Sequence, residues 1–171
     1  MLIGALVGLL ALARPPTPAP MSDALTVIFC GGVLGEPFDA TRARLGDAAS
    51  HSTQGATESW VYSVDRGASA CTFRVAQGRV IEIGANAIAN SPDASMKDPY
   101  GVSLGSGLPE LVQLRGAPRE QGTNERRYLY PSKSGACWTY DLGQSAQQKD
   151  VVVTKITVFL NFNEREEDCA P

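Results

Sequence analysis

The groups in this chain able to do covalent, metal or acid–base chemistry are four cysteines, one histidine and a scatter of carboxylates. Cys30, Cys71, Cys137 and Cys169 stand far apart, and no two have the spacing of a structural zinc site. His51 is the sole histidine, and neither a Gly-x-Ser-x-Gly elbow nor a Ser-x-x-Lys is present, so no nucleophile comes with a recognisable base. Asp65, Glu82, Glu110 and Asp141 would serve glycoside hydrolysis only if the fold set two of them at a working separation. Gly101, Gly105 and Gly107 lack the Gly-Lys-Ser/Thr that holds phosphates and read as turn glycines. Asp93 and Asp98 lack the order of a calcium loop. The expectation is a protein without cofactor, metal or catalysis, with a hydrolase or a small-ligand binder as the lesser readings.

What remains is binding. After Cys137 the aromatics Trp138 and Tyr140 alternate with polar residues, and strand side chains alternate between faces. If Cys137 shares the orientation of Cys71, then Trp138 and Tyr140 stand on the open face of a sheet. Phe159 joins them by its own parity, and Arg74 supplies a cation, a combination enriched where proteins bind proteins. The competing reading is a bulge before Trp138 that returns both rings to the core.

The chain has 171 residues, 43% of them hydrophobic, enough to bury a core. A formal charge of -3 with scattered basic residues argues against nucleic acid. Residues 1–13 are almost wholly apolar, too short to span a bilayer and suited to a signal peptide, and residues 14–22 form a Pro-rich tether. No stable membrane span is expected once the leader is removed, and the protein is expected to be a periplasmic or secreted monomer. Phe29, a bulky residue before Cys30, argues against a lipid anchor there. Four cysteines in an exported chain favour disulfides. Three pairings are open, and pairing within each half, Cys30 with Cys71 and Cys137 with Cys169, is the preferred one.

The elements that must position these residues come in two series. Leu34-Gly35 recurs as Leu104-Gly105 and Gly46 as Gly116, an offset of 70 residues in both cases. Each Leu-Gly precedes a short helical run and each later glycine ends one, after which apolar alternation predicts three strands. The helices are expected at Pro37 to Leu45, with Phe38, Thr41 and Leu45 inward, and at Gly107 to Arg115, with Leu108, Leu111 and Val112 inward. The first series places Trp60, Tyr62 and Val64 on one face, then Cys71, Phe73 and Val75, then Ile81 and Ile83 beyond a Gln77-Gly78 turn. Residues 48–59 show no periodicity and read as a loop carrying His51 in solvent. The expected fold is α+β: two tandem helix–three-strand antiparallel repeats, residues 23–85 and 101–163, packed as one sheet with both helices on one face. Residues 86–100 are a polar linker and residues 164–171 an acidic end.

Leu104-Gly105, the helix, Gly116-Ala117-Pro118 and the aromatics Tyr128 and Tyr130 resemble the helix-then-sheet unit of bacterial outer-membrane assembly lipoproteins. Two such units with a cysteine in the sheet resemble the β-lactamase inhibitory proteins, most closely over residues 127–132 and 135–138. The resemblance implies a noncatalytic protein-binding module in the cell envelope or outside the cell, an inhibitor of an extracytoplasmic enzyme by one reading and an envelope assembly component by the other.

Overall fold

The computed structural model describes residues 28–64, 67–87, 96–117, 119–121, 126–131, 136–144 and 151–160. A two-stranded hairpin, β1 (Ile28–Phe29) and β2 (Gly32–Val33), leads to helix α1 (Phe38–Leu45). Four strands follow: β3 (Ser50–Gln54), β4 (Thr57–Val64), β5 (Ser69–Ala76) and β6 (Arg79–Ala87). Helix α2 (Leu108–Arg115) precedes β7 (Arg119–Gln121), β8 (Arg127–Pro131), β9 (Ala136–Gln144) and β10 (Val151–Leu160). The last eight strands make one antiparallel sheet in the order β3-β4-β5-β6-β10-β9-β8-β7.

This is a mainly β architecture, which overturns the α+β expectation of two helix–three-strand repeats. The helices have eight residues each. Each is followed by four described strands rather than three. The additional strand β3 escaped notice because Ser-His-Ser-Thr-Gln carries no apolar alternation: all five residues are exposed. A strand at a sheet edge needs no buried side chain when its backbone pairs with a neighbour, and β3 pairs with β4 from Ser50↔Val61 to Gln54↔Thr57.

Register assigns the faces. His51, Trp60, Phe73, Ile83, Val158, Trp138 and Tyr130 lie opposite one another in a row across seven strands. The row beside it holds Tyr62, Cys71, Ala85, Ile156, Tyr140 and Tyr128. These residues form the inner face, where the core sits. Both helices reach it: Phe38 of α1 packs on Trp60 and Phe73, and Arg115 of α2 lies over Tyr130 and Tyr140. Of the predicted α2 stripe Leu111 is fully buried, whereas Val112 faces solvent.

Two bulges set the parity. Between Arg74 and Val75 the partner skips from Glu82 to Val80, so Val80 rather than Ile81 is buried with Ile83. In β10 the extra residue is Thr154, which lets both Val153 and Ile156 face inward. The Gln77-Gly78 turn joining β5 to β6 has both residues at positive φ, 50° and 72°, as the commonest two-residue hairpin turn requires.

Backbone hydrogen bonds seat the segments before the helices on the sheet: Gly35 N donates to Val80 O and Val80 N to Glu36 O, while Gly105 N donates to Val153 O and Val153 N to Ser106 O. Cys30, at the turn of the β1–β2 hairpin, is disulfide-bonded to Cys71 on the inner face of β5, with Cα atoms 5.9 Å apart. Cys137 is also disulfide-bonded; its expected partner Cys169, like the leader, the tether and the acidic end, lies outside the described residues. No helix among the described residues is long and apolar enough to cross a membrane.

Candidate functional site

The sheet separates the four residues expected to form a binding patch. Trp138 and Tyr140 are 1% and 0% exposed, beneath Phe29, Tyr100 and Arg115. The expectation of an open aromatic face there is therefore corrected, and the reason is parity. Trp138 and Tyr140 stand opposite Val158 and Ile156 without any bulge before Trp138, so they share the face of Cys71 and Phe73. It is Cys137 that points the other way. Arg74 and Phe159 do lie on the outer face, in one row with Glu82 between them. Arg74 Nη1 donates to Glu82 Oε2 at 2.9 Å.

The structure brings together a different cluster, at the β3–β4 edge. His51 is a strand residue rather than a loop residue, stacked on Trp60 with ring centroids 3.9 Å apart and planes 26° apart. Arg42, from α1, holds its guanidinium carbon 4.9 Å from the Trp60 centroid, and Phe38 packs on the same ring at 5.1 Å. Glu58, two residues before Trp60 and therefore on the same face, accepts the indole N–H at 3.0 Å and lies 3.2 Å from His51 Nε2. Trp60 is thus fixed on several sides while partly exposed, and Arg42 and His51 beside it are open to solvent. Beneath them Tyr62 is buried, with a hydroxyl that finds no hydrogen-bond partner among the described residues. Burial pushes its phenol above the usual range, with Arg42 pulling down and Asp47 pushing up. The legible signal was the Gln54-Gly55-Ala56 turn between Thr53 and Thr57, β-formers on either side of a glycine at positive φ.

A second polar cluster centres on a buried carboxylate, with Tyr100 and Arg115 partly exposed at its margin. Asp98, 5% exposed, accepts the backbone N–H groups of Tyr100 and Val102 at 2.9 and 2.8 Å and the hydroxyl of Tyr140. The Arg115 guanidinium lies 3.4 Å from the Tyr100 ring centroid, 4.8 Å from that of Tyr130 and 5.8 Å from that of Tyr140. Burial holds the Asp98 carboxyl above its ordinary range against the pull of these donors and of Arg115. Burial likewise pushes the Tyr130 phenol up to about 12 and the Tyr140 phenol higher still. The cluster ties residues 98–102 to the sheet.

The carboxylates considered for glycoside chemistry are not brought together. Glu82 pairs with Arg74, and Asp141 with Arg127 at 2.6 Å; they sit in different rows with β10 between them. Glu110 lies on the exposed first turn of α2, and Asp65 is outside the described residues. Among the described residues no three His, Cys, Asp or Glu side chains gather as metal ligands.

The class defined by this geometry is a disulfide-bonded, eight-stranded antiparallel sheet with hairpin, loop and two short helices on one face. No family model matches the chain, and no curated protein matches its sequence. Among solved structures it is similar to an extracellular protein containing a SCP domain from Bacillus anthracis str. Ames, with 12% identity and a TM-score of 0.56 over 88% of this chain and 50% of that one. The chain thus spans half the length of that protein. A cysteine-rich secretory protein from Staphylococcus aureus subsp. aureus Mu50 shares 10% identity over 75% of this chain and 44% of its own, at a TM-score of 0.49. A proposed β-lactamase inhibitor protein from Streptococcus mutans shares 12% identity over 74% of this chain and 83% of its own, at a TM-score of 0.33. Identities this low speak to the fold alone.

Proposed function

We propose that the chain is an exported, noncatalytic module that binds a protein partner through the Arg42–His51–Trp60 cluster at the β3–β4 edge. The observation that carries this reading is a partly exposed tryptophan held rigid by a histidine stack, an arginine and a glutamate, beside an edge strand whose five residues are all exposed. Tryptophan and arginine dominate interface energetics because they bury large area at little entropic cost, and a pre-ordered side chain loses less freedom on binding. Among the described residues β3 is the last strand of the sheet, and its outer edge presents backbone donors and acceptors able to receive an extended segment. Export is supported by the disulfide framework, which persists in oxidising compartments, and by the extracellular origin of the Bacillus anthracis neighbour.

The test is affinity capture from the extracellular and envelope fractions of the source, with wild type, Trp60→Ala and Arg42→Ala in parallel. A partner retained by wild type should bind Trp60→Ala more weakly by about 2 kcal/mol or more, the hot-spot threshold, while the variant's melting curve keeps its cooperativity. Equal capture by all three proteins would place the interface elsewhere.

A further inference from the structure

Edge strands of natural sheets carry devices that stop other chains from pairing with them: a lysine or proline, a bulge, or very short length. β3 has none of these. Ser50–Gln54 contains neither Lys nor Pro, and its register with β4 runs from Ser50↔Val61 to Gln54↔Thr57 without a shift. All five residues are exposed, as are Gly55 and Ala56 of the turn that follows. The other end of the described sheet differs: β7 has three residues, two of them the charged Arg119 and Glu120. β3 has an ordinary strand length, and alternate residues along it turn N–H and C=O away from β4.

The charges beside this edge say what it receives. His51 and Thr53 belong to the inner face, with Trp60 and Glu58 opposite them on β4. Glu58 is engaged, 3.2 Å from His51 Nε2 and accepting the Trp60 N–H at 3.0 Å. Arg44 is engaged too, with Glu36 and with Gly31 O. Arg42 differs: its exposed guanidinium lies against the Trp60 ring, and among the described residues no carboxylate pairs with it. An arginine held on an aromatic face keeps its N–H fork for a carboxylate. Resting on the binding reading above, we infer that the partner presents an extended segment that pairs with β3 as a further strand, with a Glu or Asp on its inner face that meets Arg42 beside His51. The outer row of β3, Ser50, Ser52 and Gln54, offers hydroxyls and an amide, so the segment needs no apolar anchor there. β3 itself carries no carboxylate, so the β3 of a second copy lacks the group that Arg42 would meet.

Capped peptides of sequence Ser-Thr-Ser-X-Ser-Thr-Ser, with X as Glu, Gln or Lys, test this on the unaltered protein through its amide chemical shifts. Shifts are expected at Ser50 to Gln54 and at the Trp60 indole N–H. The Glu peptide should bind several-fold more tightly than the Gln peptide and the Lys peptide more weakly still, a preference reduced by salt and lost in Arg42→Ala. Unshifted β3 amides, or equal affinity for the three peptides, overturn the inference. The capture assay separates it from the reading it rests on. Of Ser52→Pro and Thr53→Pro, one removes an outward N–H and leaves the pairing with β4 intact, and the variant that keeps the wild-type melting curve should lose the partner. If that variant captures the partner as wild type does while Trp60→Ala does not, the cluster binds and the strand addition is wrong. Sedimentation of wild type as a dimer that the same proline dissolves would put a second copy on β3 and overturn the partner class. Should neither proline variant fold, the peptide titration decides.

Discussion

Replacing Tyr140 by Phe removes one hydroxyl and leaves the ring in its place between Tyr130 and Arg115. The hydroxyl is one of three donors to Asp98, the other two being the backbone N–H groups of Tyr100 and Val102. Asp98 is too deeply buried for water to replace the lost donor. A hydrogen bond to a charged group contributes about 1.5–3 kcal/mol, and for a chain of this size each kcal/mol moves the melting temperature by about 2–4 °C. The expected loss is therefore about 3–12 °C near neutral pH. The pH dependence follows from the raised carboxyl. The folded protein holds the Asp98 proton more tightly than the unfolded chain, so its stability falls as pH rises from the ordinary value of 3.8 to the raised folded value. Without the Tyr140 donor the folded value climbs further, so the deficit of Tyr140→Phe grows across that interval and is smallest in acid. Urea unfolding followed by tryptophan fluorescence at a series of pH values measures this, with Asp98→Asn as the variant in which the Asp98 contribution to the slope vanishes. A deficit below about 0.5 kcal/mol at neutral pH, or one equal at every pH, would refute the claim that Tyr140 stabilises a buried carboxylate.

The Cys30–Cys71 bond closes a loop with a sequence separation of 41, so the Cys30→Ser/Cys71→Ser protein should lose about 4 kcal/mol in urea unfolding. A Cβ added at Gly32 would stand 2.3 Å from Phe73 Cε1, so Gly32→Ala should cost about 1–3 kcal/mol, whereas Gly84→Ala, whose nearest neighbour is Thr157 Oγ1 at 3.7 Å, should fold with an unchanged melting curve. Burial pushes the Glu36 carboxyl up, but donors from Thr41, Arg44 and Val33 together hold it below its ordinary 4.5. Its contribution to stability is therefore present above 4.5 and lost as pH falls through the lowered folded value, and Glu36→Gln should flatten that acid loss in near-ultraviolet circular dichroism.

Legibility in the sequence followed apolar patterning. The two helices fall within a residue of where Pro37 and Gly46, and Gly107 and Gly116, bracket them, and Trp60, Tyr62, Cys71 and Phe73 share the face that their alternation assigns. Patterning had nothing to say about β3, whose residues are all polar because the edge of the sheet does not require burial. It misassigned β9 because Cys71 and Cys137 look equivalent in the sequence while the register puts them on opposite faces. Ile81 was placed inward by simple alternation, which a one-residue bulge reverses. The Trp60 cluster depends on contacts between α1, β3 and β4, and the spacing of Arg42, His51, Glu58 and Trp60 shows none of them. The buried Asp98 was invisible for the same reason: a carboxylate among turn residues reads as solvated until Tyr140, 42 positions away, is seen to donate to it.

Within the eight-stranded sheet every pairing but one joins strands consecutive in the chain. The exception is the seam between β6 and β10, where Glu82 meets Phe159 and Asn86 meets Lys155. Hairpins close early because little chain must be immobilised, whereas bringing together strands some 70 residues apart costs roughly 4 kcal/mol of loop entropy before any seam contact forms. Folding should thus divide in time, with β3–β6 and β7–β10 zipping locally and the seam closing last and slowest. Until it closes, the facing edges of β6 and β10, rich in Val and Ile, are unpaired templates for strands of other chains, so self-association during refolding is expected to track the lifetime of the open seam.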